Sequence, residues 1–338
     1  MNFTPFRRCV AVFVLLVSCG AGSASAAAPC VETKSECTHW VTLAGGPARS
    51  LVYSTYSLDE RKPEITRALI VVHGQGRNAD GYFRTAVAAA FLGNALSDTI
   101  VISPRFAASN GSCKDALAAN EVNWLCSGVS WRAGGVAVGN EALTSFDFAD
   151  EILRKLARRD VFPNLKHIVF SGHSAGGQFV SRYELTNQVH EKLGVPVTYV
   201  VANPSSYAWP DANRPVTGKV EYQPYGDSAC AYDRWPYGWQ QRVGYAARVT
   251  DDQLKKQLAS RPVTYMVGEL DTLPIAGFDS SCPAMAQGQH RLARGQAYTS
   301  YLKDHYNVQL AFTTIPACGH NARCMFTADR ALPILFPR

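Results

Sequence analysis

The segment Gly172-His173-Ser174-Ala175-Gly176 constrains this chain more than any other feature. It is a GxSxG pattern, and it stands where a β-branched apolar run over residues 164–171 stops and a helical pattern over residues 176–187 starts. A side chain presented on a sharp strand-to-helix turn needs small neighbours on both sides, because the backbone is strained there and the next helix packs close. The same pattern in a loop would mean little. In this context it marks Ser174 as a candidate nucleophile at the C-terminal edge of a parallel sheet.

The surroundings fit such a sheet. Runs at residues 68–73, 99–103, 195–202, 262–267 and 308–315 are short, apolar and rich in Val and Ile, like the run before the motif. Strands buried on both faces read this way. Helical patterns fall between them, at 145–158 (with Ser145 placed to cap it), 176–187, 251–258 and 289–305. The alternation predicts an α/β fold with a mostly parallel sheet. Residues 203–249 break the rhythm, being rich in Pro, Gly, Tyr and Trp without a period. So long an irregular segment is expected to be an insertion at the sheet's C-terminal edge, a lid or a substrate wall. Trp131, after the run at 99–103, and Tyr207 and Trp209 in this segment are candidate wall residues, their flat apolar faces suited to an extended substrate; packing inside disulfide-rich loops is the alternative.

Residues 1–26 read as an export leader: Arg7 and Arg8, an apolar stretch over 10–17, and Ala24-Ser25-Ala26 as a cleavage site. The expected mature protein, residues 27–338, is one domain, secreted or periplasmic. The alternative is a lipid anchor on Cys19, since Leu16-Val17-Ser18-Cys19 resembles a lipobox. The leader holds two of the 33 basic residues and no acid, so the mature chain carries 31 basic and 27 acidic residues. That mild excess, with no block of Lys or Arg, excludes a nucleic-acid stripe. Beyond the leader no apolar run is long enough to span a membrane. Eight of the ten cysteines remain, without a CxxC pair, which points to disulfides instead of a metal site. Sequential pairing is the simplest scheme: Cys30–Cys37, Cys113–Cys126, Cys230–Cys282 and Cys318–Cys324. No metal or cofactor is expected.

A serine hydroxyl needs a base. His320 lies just after the last apolar run, between Cys318 and Cys324, where a loop can deliver it to the edge that carries Ser174. An acid between them in the chain must orient the imidazole. Asp271 follows the run at 262–267; Glu269 and Asp279 are its rivals. Oxyanion donors are expected from the amide of Ala175 and from the loop His73-Gly74-Gln75-Gly76-Arg77-Asn78, with Gln75 first and Gly76 in reserve. His73 and His173 are read as shaping the loops beside the site. Arg291 and Arg294, three apart on a helix, are placed to meet Asp or Glu partners in structural ion pairs.

His73-Gly74 after a strand, Ser174 on its turn, Asp271 and His320 together resemble the α/β-hydrolase superfamily over roughly residues 50–338. More narrowly, HGQGRNADGYF is similar to secreted polyhydroxyalkanoate depolymerase and feruloyl-esterase relatives, which carry Cys-Thr-Gln after His-Gly where this chain carries Gln-Gly-Arg. The resemblance implies an eight-stranded, mostly parallel sheet flanked by helices, and cofactor-independent acyl transfer. The expected substrate is a carboxylic ester, as a small molecule or an extracellular polymer. Hydrolysis of an amide or polymer backbone (polyester, polyaspartate or peptide) is the alternative within enzymes. A binding protein that keeps the fold without turnover is the alternative outside them.

Overall fold

The computed structural model describes residues 1–3, 28–127, 130–275, 277–308 and 310–337; the expected leader, with Cys19, lies almost wholly outside them. Its centre is an eight-stranded sheet. The strands are β1 Thr38–Thr42, β2 Arg49–Ser54, β3 Arg67–Val72, β4 Thr99–Pro104, β5 His167–His173, β6 Val197–Ala202, β7 Val263–Gly268 and β8 Ala311–Ile315. Their spatial order is 1-2-4-3-5-6-7-8. β2 runs antiparallel to both of its neighbours; from β4 through β3 to β8 all the pairings are parallel.

The α-helices longer than four residues are α1 Ala79–Leu92, α2 Ser145–Leu156, α3 Ala175–Thr186, α4 Asp251–Ser260, α5 Arg291–Tyr306 and α6 Ala322–Thr327. Side chains alternate across a strand, so each central strand feeds two cores. Ile70 and Val72 of β3 join Phe170 and Tyr199 under α2, α3 and α5. Leu69 and Val71 join Val169 and Val200 under Phe83, Ala86 and Ala90 of α1 and Met325 and Phe326 of α6. This sheet between two helical layers is the α/β-hydrolase fold. No helix among the described residues is long and apolar enough to cross a membrane.

Several local expectations need correction. β5 extends through Gly172 and His173, because the ladder continues to pair Gly172 with Val72 and His173 with Ala202. Thr144, not Ser145, caps α2: its hydroxyl accepts from the Asp147 amide, and the Asp147 carboxylate accepts from the Thr144 amide in return. The Ser145 hydroxyl instead donates to the Trp131 carbonyl at 2.6 Å. β1, β2 and α1 carry no strong sequence signal and were not expected from periodicity.

Among the described residues, four disulfides join cysteines in sequential order: Cys30–Cys37, Cys113–Cys126, Cys230–Cys282 and Cys318–Cys324. The third ties the insertion after β6 to residues beyond β7, 52 positions away. That insertion forms a two-stranded hairpin, Asn213–Pro215 with Tyr222–Pro224. It packs onto α3, where Arg182 Nε donates to the Pro236 carbonyl at 3.0 Å, and onto α5, where Tyr222 donates to the Ala297 carbonyl at 3.0 Å.

Candidate active site

The turn after β5 is fixed by close approach. A Cβ on Gly172 would run into the Gly176 carbonyl oxygen, and one on Gly176 into that of Val72, so no larger residue fits either position. Ser174 sits between them at φ 60° and ψ −120°, a left-handed conformation that costs a non-glycine residue about 1–3 kcal/mol. The surrounding ladder holds it: the Ser174 amide donates to the Ala202 carbonyl at 3.0 Å. The strain aims the hydroxyl out of the sheet edge.

There it meets His320. Ser174 Oγ donates to His320 Nε2 at 2.9 Å, and His320 Nδ1 donates to Asp271 Oδ2 at 2.8 Å. The ionised Asp271 carboxylate can only accept, so the imidazole proton lies on Nδ1 and Nε2 is left to accept, the tautomer a general base requires. Three residues separated by 146 and 49 positions thus form one hydrogen-bonded path. Glu269 and Asp279 do not join it. Glu269 accepts from the Ala317 amide at 3.0 Å, while Asp279 accepts from the Tyr237 hydroxyl at 2.8 Å and from Ser281.

Asp271 is 1% exposed and carries more partners than sequence reasoning assigned. Asn203 Nδ2 donates to Oδ2 at 2.5 Å, and Arg291 Nη1 to Oδ1 at 3.3 Å. Burial works to raise the Asp271 carboxyl; the bond and charge of His320, the Arg291 charge and the Asn203 bond outweigh it and hold it below the ordinary carboxylate range. Asn203, which no sequence motif marks, stands immediately after β6, a position that delivers its side chain to the same sheet edge. Arg291 was recognised as an ion-pair candidate, but its partner was not.

The loop after β3 closes on Ser174 from the other side: a Cβ on Gly74 would lie 3.6 Å from that of Ser174. His73 shapes the loop by taking the Phe106 amide on Nε2 at 3.1 Å and donating from Nδ1 to the Gly74 carbonyl at 2.8 Å. Burial pushes its imidazole down to about 4 against that backbone bond, so it stays neutral. Arg77, at φ 55°, reaches across to the Phe106 and Leu125 carbonyls at 2.5 and 2.8 Å. Gln75, Gly76, Ser174 and His320 line one cleft of about 560 Å³, with Asn78, Tyr82, Asn321 and Arg323 on its walls. Ala175 is the first residue of α3, where an amide has no intrahelical acceptor. His173 lies beneath His320, ring centroids 4.7 Å apart, and shares a 3.0 Å hydrogen bond with the Tyr82 hydroxyl.

The expected aromatic wall does not face this cleft. Trp131 is 3% exposed and stacks on Phe106; Tyr207 stacks on Tyr298, and Trp209 packs against Tyr298 and Tyr301 of α5. Their large apolar surfaces are core packing, and no described residue of 203–249 lines the cleft.

In overall structure the chain is similar to poly(aspartic acid) hydrolase-1 from Sphingomonas sp. KT-1, at 23% identity over 88% of this chain and 98% of that one, with a TM-score of 0.61. It is also similar to a poly(3-hydroxybutyrate) depolymerase from Bordetella parapertussis, at 19% identity over 86% of this chain and 89% of that one, with a TM-score of 0.59. No protein-family model matches the sequence, and no curated protein is detectably similar to it.

Proposed function

We propose that the chain is an exported serine hydrolase that cleaves carboxylic esters, with Ser174 as nucleophile, His320 as base and Asp271 as the group that orients His320. The observation that carries this reading is the unbroken path Ser174–His320–Asp271, at 2.9 and 2.8 Å, starting from a strained turn that exposes the hydroxyl. As Oγ attacks the acyl carbon, its proton passes to His320 Nε2, and Asp271 stabilises the imidazolium. The amides of Ala175 and Gln75 hold the developing oxyanion. His320 then protonates the departing alkoxide, and the acyl-enzyme is resolved by water activated through the same histidine. Export is supported by the leader pattern and by four disulfides, which persist in oxidising compartments. Residues 27–338 then act as one mature domain, with processing at Cys19 as the alternative leader reading.

Cleavage of an anionic polymer backbone is the second reading. It is favoured by Arg323, an exposed arginine on the cleft wall three residues from His320, and by the similarity to a poly(aspartic acid) hydrolase. Purified mature protein assayed on p-nitrophenyl esters, a solid polyester, polyaspartate and a peptide anilide separates the readings. Ester turnover exceeding amide turnover is expected; polyaspartate cleavage with inert esters would favour the second reading, and no turnover at all would favour a binding protein.

A further inference from the structure

The base His320 is paired with Asp271, and that carboxylate's charge is shared. Asp271 Oδ2 takes His320 and Asn203, while Oδ1 takes Arg291. Arg291 enters from the start of α5 and is 0% exposed. Its other contacts lock it in place: Nε donates to Ser205 Oγ at 2.7 Å, both Nη atoms lie 3.2 Å from the Ile275 carbonyl, and the guanidinium stands over the Phe278 ring. The Ile275 contact belongs to the same loop that carries Asp271. Arg291 therefore fixes both the carboxylate and the loop that presents it.

Asp279, on the loop after β7, adds its charge to Arg291 while its carboxylate accepts from Tyr237 and Ser281. From β5, the His173 ring lies 4.7 Å from that of His320; burial first, then the Arg291 charge, holds its imidazole well below the ordinary range, and its Nδ1 shares a hydrogen bond with Tyr82 of α1. Tyr207, from the loop after β6, and His290, before α5, feel the Asp271 charge; burial holds Tyr207 as a neutral phenol and lowers His290. At the start of α6, three residues after the histidine, stands the cation Arg323, and the carboxylate of Glu269 is engaged by the Ala317 amide.

We propose that Arg291 is a positioning residue that holds Asp271 and, by taking part of its charge, weakens the hold of His320 on a proton, so that the base remains an acceptor at lower pH than an unshared Asp–His pair allows. This rests on the hydrolase reading above. A protonated His320 faces a carboxylate already paired with a buried cation, and the cation on the far side of the carboxylate opposes the second positive charge. Without Arg291, the undivided carboxylate stabilises imidazolium in the resting enzyme. The acid limb of activity then moves up.

The test uses the mature chain carrying Arg291→Met or Arg291→Lys. Hydrolysis of a neutral ester is followed in a pH-stat from acid to neutral pH, with rates normalised to the sites a fluorophosphonate titrates. In Arg291→Met the acid midpoint of kcat/KM is expected to rise by about one to two pH units, the size of effect a charge at this range exerts. Arg291→Lys keeps a cation with fewer donors, so a smaller rise is expected. If Arg291→Met yields no titratable sites, the lysine variant decides by the same criterion. Midpoints that stay at the wild-type value while activity or melting temperature falls would overturn the proposal, leaving Arg291 as a structural fastener. A wild type that the fluorophosphonate never labels would instead overturn the hydrolase reading.

Discussion

Asp271→Asn removes one charge and swaps one oxygen for an amide nitrogen in a site where every neighbour is a donor. His320 and Asn203 approach Oδ2, and Arg291 approaches Oδ1, all on a side chain that is 1% exposed. An asparagine can turn its NH2 toward Arg291 or toward His320 and Asn203; each choice sets donor against donor. With the NH2 toward His320, the imidazole has to present a bare Nδ1 and carry its proton on Nε2, where it can no longer accept from Ser174. With the NH2 toward Arg291, a donor faces a donor at a buried guanidinium that has also lost the Asp271 charge. The first outcome lowers kcat by about 10³ to 10⁴-fold, or roughly 4–5.5 kcal/mol of transition-state stabilisation. The second costs about 3–5 kcal/mol of stability, as breaking a buried pair does. The assay is kcat on a p-nitrophenyl ester, normalised to folded protein by circular dichroism, alongside the melting temperature. Glu269→Gln, whose carboxylate accepts from the Ala317 amide, is the control and should stay within a few-fold of wild type. An Asp271→Asn enzyme within tenfold of wild type, with unchanged melting temperature, would refute the reasoning.

Three further outcomes are expected. Cys318→Ser/Cys324→Ser opens the short loop around His320, which should lower kcat about tenfold while costing about 2 kcal/mol of global stability, the entropy of so small a ring; activity and chemical denaturation measured together would show the split. Glu184 is 0% exposed with both carboxylate oxygens unpaired among the described residues, and burial pushes it up to about 8 against the Arg261 charge. A raised carboxyl favours folding while protonated and loses that advantage as pH climbs from its unfolded value near 4.5 through 8, so Glu184→Gln should gain on wild type across this window, on the order of 3–4 kcal/mol by pH 8; equal melting temperatures at pH 5 and pH 8 would contradict it. If the Gln75 amide donates to the oxyanion, Gln75→Ala should keep most activity while Gln75→Pro, which lacks the N–H, should lose about 10²- to 10³-fold in kcat; equal losses in the two would assign the role to the side chain or to neither.

The central strands were legible because strands covered on both faces are continuously apolar, and the Ser174 turn because its glycines answer a local steric demand. The path through His320 and Asp271 was legible for a related reason: parallel strands deliver their C-terminal loops to one edge. The edge strands β1 and β2 were not, since half-exposed strands mix Thr, Arg and Ser with the apolar residues. α1 was hidden by its alanines, which pack closely under the sheet without a distinctive apolar stripe. Asn203 and Arg291 reach Asp271 across 68 and 20 positions, and only the tertiary fold sets such partners. The aromatics Trp131, Tyr207 and Trp209 misled because an apolar ring suits a core and a substrate wall equally well in composition.

The central claim, that Ser174 is a nucleophile activated by His320, is tested most directly by fluorophosphonate labelling of wild type, Ser174→Ala and His320→Ala, read by intact mass and peptide mapping. The expected result is one adduct per chain on the peptide containing Ser174, absent in Ser174→Ala and slowed by orders of magnitude in His320→Ala. A folded wild type that takes no label, or label that persists in Ser174→Ala, would contradict it.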